Sequence, residues 1–414
     1  QDIKATGIKA GTTATMVADR NLTATTVEAG TGINMTATSG NAELEQVKTT
    51  ATTGNITATA GIDLIADALT AAGDIGLTAG NDITANTVTA DGSANMTASQ
   101  DINATGIKAG DKATMTAGNN LTATTVEAVN DMNLTATSGK LTLKQAVTTV
   151  GNMTAKAGTD LSADTLTSAA DIDLNAAQDI TANNLTAAGS ATMTAGQDIT
   201  ATGIKAGTTA TMVAARNLTA TTIEAGTGIN MTATSGNAKL EQVKTTATTG
   251  NITATAGIDL IADTLTSAAD INLNAAQDIT ANNLTAKGSA TMTAGQDISA
   301  TGIKAGDKAT MTAGNNLTAT TVEAVNDMNL TATSGKLTLK QAVTTVGNMT
   351  AKAGTDLSAD TLTSAADIDL NAAQDITANN LTAAGSATMT AGQDITATGI
   401  KAGTTATMVA ARNL

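Results

Sequence analysis

The chain has 414 residues, a formal charge of −15 at neutral pH, and no Phe, Tyr, Trp, His, Pro or Cys. Without aromatics an ordinary globular core is excluded, and without Cys so are disulfides and thiol chemistry. Lys is dispersed and arginine occurs only at Arg20, Arg216 and Arg412, so the acidic balance argues against nucleic acid or an anionic membrane as partner.

From the first residues the chain repeats itself. "QDIKATGIKA" at Gln1 recurs almost word for word at Gln100, Gln197, Gln296 and Gln393, at alternating intervals of 99 and 97 residues. Super-repeats therefore run over 1–196 and 197–392, with a partial third over 393–414. Their sub-blocks are 1–99, 100–196, 197–295 and 296–392. Residues 104–196 return unchanged as 300–392, whereas 1–103 and 197–299 differ at positions such as Lys4 against Thr200 and Glu43 against Lys239. Such periodicity identifies one continuous array over 1–414 rather than two or three globular domains.

The first irregular stretch is "TSGNAELEQVKTTATTGNITATA" (38–60), where Leu44 follows Leu22 by 22 residues. Its extra residues are expected to bulge at turns. The regular beat is clear just beyond, in "DITANTVTADGSANMTA" (82–98), "DINATGIKAGDKATMTA" (101–117) and "NLTATTVEAVNDMNLTA" (120–136). Ile83, Ile102 and Leu121 are 19 residues apart, as are Met96, Met115 and Leu134. Within a unit the apolar residues alternate, as Ile83-x-Ala85, Val88-x-Ala90 and Ala94-x-Met96-x-Ala98. Period two predicts three short strands, with turns at Asn86–Thr87, Asp91–Ser93 and Ser99–Asp101. Helical stripes do not persist, and the fixed timing of the aliphatic residues argues against disorder.

A unit of this length cannot bury a core alone, so each must stack on its copies. The predicted fold is all-β: a right-handed parallel β-helix of about 21 coils, whose strands pair in parallel with those above and below. At about 4.8 Å per coil, the sequence predicts a rod of roughly 100 Å. A second long coil, "TSGKLTLKQAVTTVGNMTAKA" (137–157), follows. The two long coils recur at 234–256 and 333–353, and their "LEQVK" and "LKQAV" are the least Thr-like words in the chain.

Outward positions are where a function would be written. Thr36, Thr57, Thr78, Thr97, Thr116, Thr135 and Thr154 are expected to form one outward rank, coil by coil. Strand preference and hydroxyl contact explain such a rank, with an ice-binding plane as the remote alternative. Lys9, Glu28 and Lys48, then Lys108 and Glu127, fall on successive coils and should pair across rungs. Asp82, Asp101 and Asp179 precede the first strand of a coil, where the carboxylate is expected to bond nearby turn amides. Each carboxylate belongs to a periodic set, so no unique catalytic constellation, metal site or cofactor site is expected, and an enzyme is not.

The words "GNNLTATTVEAVNDMNLTA" and "AGQDITATGIKAGTTATMVAARNLTATTIEAG" resemble the haemagglutinin repeats of filamentous haemagglutinin-like and contact-dependent inhibition exoproteins. The shared pattern is [DN]-[IL]-x-A-x-x-[ILV]-x-A followed by A-x-[ML]-x-A, and the resemblance covers the whole chain. It implies an extracellular or cell-surface shaft that carries adhesive or effector regions outward, exported through an outer-membrane two-partner transporter. A target-cell or host surface would be met by other regions. An alternative is that the shaft itself adheres to carbohydrate or protein. The resemblance also implies glycosylation at the sequons beginning at Asn21, Asn55, Asn120 and Asn152, although the repeat produces Asn-x-Thr in any case. No leader or membrane span is expected in this segment. Ends that fall within the repeat are read as those of a piece of a longer shaft.

Overall fold

The computed structural model describes all residues, 1–414, and contains strands and turns but no helix. The chain divides into two compact units, Gln1–Gly207 and Thr208–Leu414. Each is a right-handed parallel β-solenoid with a repeat of about 19 residues, and together they comprise about 21 coils. The coil over 83–98 shows the plan. Its long strand, Ile83–Ala90, turns Ile83 and Ala85 inward, then places Asn86 and Thr87 outward in succession, then turns Val88 and Ala90 inward. Two consecutive outward residues mark a corner, so the long strand is two extended segments, and the short strand Ala94–Ala98 is the third. In the first coil the two segments are separate strands, Ile3–Ala5 and Ile8–Ala10. Within each unit the long strands form one parallel sheet and the short strands another.

Register follows the sequence period. Ile83 pairs with Ile102 and Ile102 with Leu121, while Met96 pairs with Met115 and Met115 with Leu134. Inward residues therefore stack in columns, and the columns explain the composition. The last inward position of every short strand from Ala18 to Ala195 is alanine, giving a wall too close for an aromatic ring. Elsewhere large and small residues exchange places while inward volume is kept. Where Leu22 is followed in its column by Ala42, the neighbouring column changes from Ala24 to Leu44. Where Leu143 replaces Ala123, Val126 gives way to Ala146. These compensations hold interior packing near constant, as close-packed cores require.

The long coils keep "LEQVK" and "LKQAV" inside regular long strands, Ala42–Thr49 and Leu141–Thr148, and place their extra residues at the corners on both sides, around 38–41 and 50–54 and around 137–140 and 149–152. This corrects the single Thr rank. The file containing Thr36 continues through Thr59, Thr78, Thr97, Thr116 and Thr135 to Lys156, whereas Thr57 and Thr154 stand two residues earlier in the adjacent file. The shift arises because the long coils carry their large residue at the first inward position of the short strand, Ile56 or Met153, and alanine at the second, Ala58 or Ala155. Counting from the large residue then places the following Thr one outward position early.

Identical words differ in backbone strain. In "ATGIKA", Gly203 has φ +69°, whereas Gly106 in the same words lies outside the positive-φ region. Gly203→Ala is expected to destabilise the first unit by about 1 kcal/mol, because an L-residue is strained there. Gly106→Ala should cost distinctly less. Denaturant midpoints of the two variants compare them directly.

Candidate functional site

The outward surface is organised as files of one residue per coil. On the long-strand sheet, Lys9, Glu28 and Lys48 occupy successive rungs of one file, as do Lys108 and Glu127. Of the expected pairs Lys9–Glu28 forms, with Nζ 3.3 Å from Oε2, whereas Lys48 and Lys108 share the file with Glu28 and Glu127 without closing to an ion pair; the second-unit copy of Lys108–Glu127, Lys304–Glu323, closes to 3.9 Å. Lys112–Asp131 at 3.3 Å and Lys140–Asp160 at 3.0 Å bridge coils in the same way. All lie at the surface, the cations exposed and Glu28, Asp131 and Asp160 half-buried, so each contributes only about 0–1 kcal/mol. Arg20 is paired with Asp2, and Arg412 with Asp394, at the same corner of their coils.

The corner carboxylates do more than the sequence indicated. The Oδ1 atoms of Asp82, Asp101 and Asp179 do not bond backbone amides of their own turn; each reaches one coil onward, although the Asn81 side-chain amide also donates to Asp82 Oδ2. Asp101 N–H donates to Asp82 Oδ1 (2.9 Å), Asn120 N–H to Asp101 Oδ1 (2.8 Å), Lys140 N–H to Asn120 Oδ1 (2.9 Å), and Asp198 N–H to Asp179 Oδ1 (3.0 Å). A second ladder climbs the corner before the short strand, where Asp74 N–H donates to Asn55 Oδ1 (2.8 Å), Ser93 N–H to Asp74 Oδ1 (2.8 Å), and Asp171 N–H to Asn152 Oδ1 (3.1 Å). Where the corner interrupts the backbone ladder, the Asx oxygen stands in for a carbonyl. The signal is present as Asp or Asn at one phase of nearly every coil, broken at Lys140 and Lys336, but turn propensity places it within a single coil. All four sequon asparagines belong to these ladders, since Asn21 and Asn120 likewise accept the N–H of Asn41 and Lys140.

Bonds from the Asn130 amide and the Ser93 hydroxyl, with Lys112 nearby, hold the Asp111 carboxyl below the usual carboxylate range; Asn326 and Ser289 do the same for Asp307. A depressed folded pKa means that the stabilisation is present above the unfolded value of about 3.9 and is lost as pH falls through the folded value. Melting temperature should therefore be level from neutral pH to about pH 5 and fall below about pH 4. The double variant Asp111→Asn, Asp307→Asn should show a shallower acid-side fall in the same series of melts.

Concave features repeat with the coils. A shallow depression lined by Glu28, Gln46, Lys48 and Thr70 has its counterpart at Glu224, Gln242, Lys244 and Thr266. Another, at Lys140, Asp160 and Asp179, returns at Lys336, Asp356 and Asp375. No group of three or more Asp or Glu is gathered in a geometry that could hold a metal ion. Comparison with protein-family profiles, curated proteins and solved structures gives no match for this chain.

Proposed function

We propose that this chain is a stretch of the shaft of a large secreted or cell-surface bacterial exoprotein of the haemagglutinin-repeat kind, and that it acts by supplying reach and stiffness rather than by binding or catalysis. The observation that carries this reading is the periodicity of the outward surface. Most charge pairs, corner Asx bonds and depressions belong to sets that recur with the coils, and 104–196 is repeated unchanged as 300–392; Lys239–Glu241, where the first super-repeat has Glu43, is a departure from the set. A binding or catalytic site needs a constellation that breaks the repeat, whereas a spacer needs only register. In this reading the shaft lies outside the cell, exported through an outer-membrane two-partner transporter, and meets target surfaces through other regions of the full-length protein.

Deleting residues 100–196 tests it. The deletion joins Ser99 to Gln197, replacing the native Ser99–Gln100 junction with the same residue types, and removes five short strands in register. The stack should still fold, and reach should fall by about 24 Å at about 4.8 Å per coil. Because the lost text remains at 300–392, a binding site within it would survive at half stoichiometry. Surface contact or delivery that declines with length supports the spacer; contact retained at half stoichiometry overturns it.

A further inference from the structure

We propose that the short-strand face is a self-association surface whose partner is a second copy of this chain. Over six consecutive coils of the first unit its outer file is unbroken threonine, Thr36, Thr59, Thr78, Thr97, Thr116 and Thr135. The file beside it, running from Asn34 to Asn133, contains only Asn, Thr and Gly. The second unit repeats this, with Asn and Thr alone in both files from Asn230 and Thr232 to Asn329 and Thr331. No outward residue of these strands is charged, on a chain whose net charge is −15. In the same coils the long-strand faces carry Glu43, Lys48, Asp67, Lys108 and Glu127. The neutral face is therefore the one along which two like-charged copies can approach without burying a charge.

A second copy fits this surface because the chemistry is self-complementary. Short hydroxyl and amide side chains in exact rung register can interleave with an identical set across a two-fold axis, each group finding a donor or acceptor of its own kind. Six rungs of about 4.8 Å by five residues of about 3.3 Å present roughly 480 Å² per copy, or about 1,000 Å² per pair of faces. That is the size of a weak, reversible contact rather than a permanent one, and each chain carries the face twice. Its rims are predominantly acidic, with Asp74, Asp91 and Asp111 before the short strands and Asp82 and Asp101 after them, while the rim cations Lys112 and Lys140 are paired with Asp131 and Asp160. Repulsion between rims makes the contact dependent on screening, which acts within about 10 Å at 0.1 M salt.

Sedimentation velocity of the full chain over a micromolar concentration series, at low and high salt, tests the proposal with two charge-matched variants. The first places lysine in the face, as Thr97→Lys, Thr116→Lys, Thr293→Lys and Thr312→Lys. Lys156 and Lys352 already continue these files next to Thr135 and Thr331, so the fold tolerates the substitution. The second adds the same four charges to the long-strand faces, as Thr89→Lys, Thr122→Lys, Thr285→Lys and Thr318→Lys. The native chain should associate reversibly, and more tightly as salt rises. The face variant should weaken association at least about tenfold, because like charges would meet within the contact, while its charge-matched control stays within about twofold of native. A native chain monomeric throughout the series, association that weakens with salt, or equal effects of the two variants would each overturn the proposal.

Discussion

Ile102→Asp is expected to destabilise the unit Gln1–Gly207 by more than about 4 kcal/mol, among the largest effects a single substitution produces. Ile102 is fully buried and stacks between Ile83 and Leu121, with Ala104 and Ile107 as the next inward residues of its own strand. A carboxylate there would face aliphatic columns with no cation or donor among them, and an unpaired buried charge is tolerated only by taking up a proton, itself at a cost. Because each coil touches only its neighbours, the damage should concentrate in adjacent coils. Hydrogen exchange should show protection lost first over 83–90 and 121–128. Asn103→Asp, one residue along and exposed, should change stability by no more than about 0.5 kcal/mol. Equal effects of the two substitutions would mean that the alternation is out of phase.

The second large effect is expected at Thr49→Val. The buried polar side chains of the molecule, Thr49, Thr148 and Ser168 with Thr245, Ser267, Thr344 and Ser364, all replace alanine at the last inward position of a long strand in or just after a long coil. Their hydroxyls anchor the corner insertions. Thr49 Oγ1 donates to Gly54 O at 3.0 Å and accepts from Ala72 N–H at 3.0 Å, so one side chain closes the loop over 50–54 and ties it to the next coil. Around Thr148 the same task is shared, with its hydroxyl 2.7 Å from Gly151 O and 2.9 Å from Ser168 Oγ. Valine keeps the shape and removes both bonds; Gly54 O still accepts from Gly73 N–H (2.9 Å), so the group left orphaned is the Ala72 amide, at a cost of about 1–3 kcal/mol where it stays dry. The expected result is a loss of about 1–3 kcal/mol by denaturant melts, with faster exchange confined to residues 51–55 and 72.

Much of this fold was legible in the letters because a solenoid writes its tertiary contacts as a period. The interval from Ile83 to Ile102 is at once a spacing in sequence and a pairing in space, so the inward columns, the corners at Asn86–Thr87 and the cross-rung partners Lys9 and Glu28 could be read without coordinates. The reading failed where contacts between coils compete with patterns inside one. The Thr file was misplaced at Thr57 and Thr154 because the large inward residue shifts position in the long coils, which only the facing columns reveal. Asp82 and Asp101 were assigned to their own turns because turn propensity describes a single coil, whereas the donor stands on the next. The buried hydroxyls were not anticipated, since Thr and Ser are common outward residues here and nothing local marks Thr49 or Ser168 as inward except its phase.

The central claim is that coil number, not coil text, performs the work, and one measurement addresses it most directly. In the full-length protein, proposed above to be an exoprotein, residues 100–196 and 296–392 are both replaced by the same number of coils from an unrelated parallel β-solenoid, and contact with or delivery to a partner surface is scored beside secretion and length. The account predicts that contact is retained at native reach, because the inward stack is rebuilt and only the outward Thr, Lys, Glu and Asn text has changed. Loss of contact despite normal secretion and unchanged length would contradict it, and would mean that the outward files are themselves read by a partner.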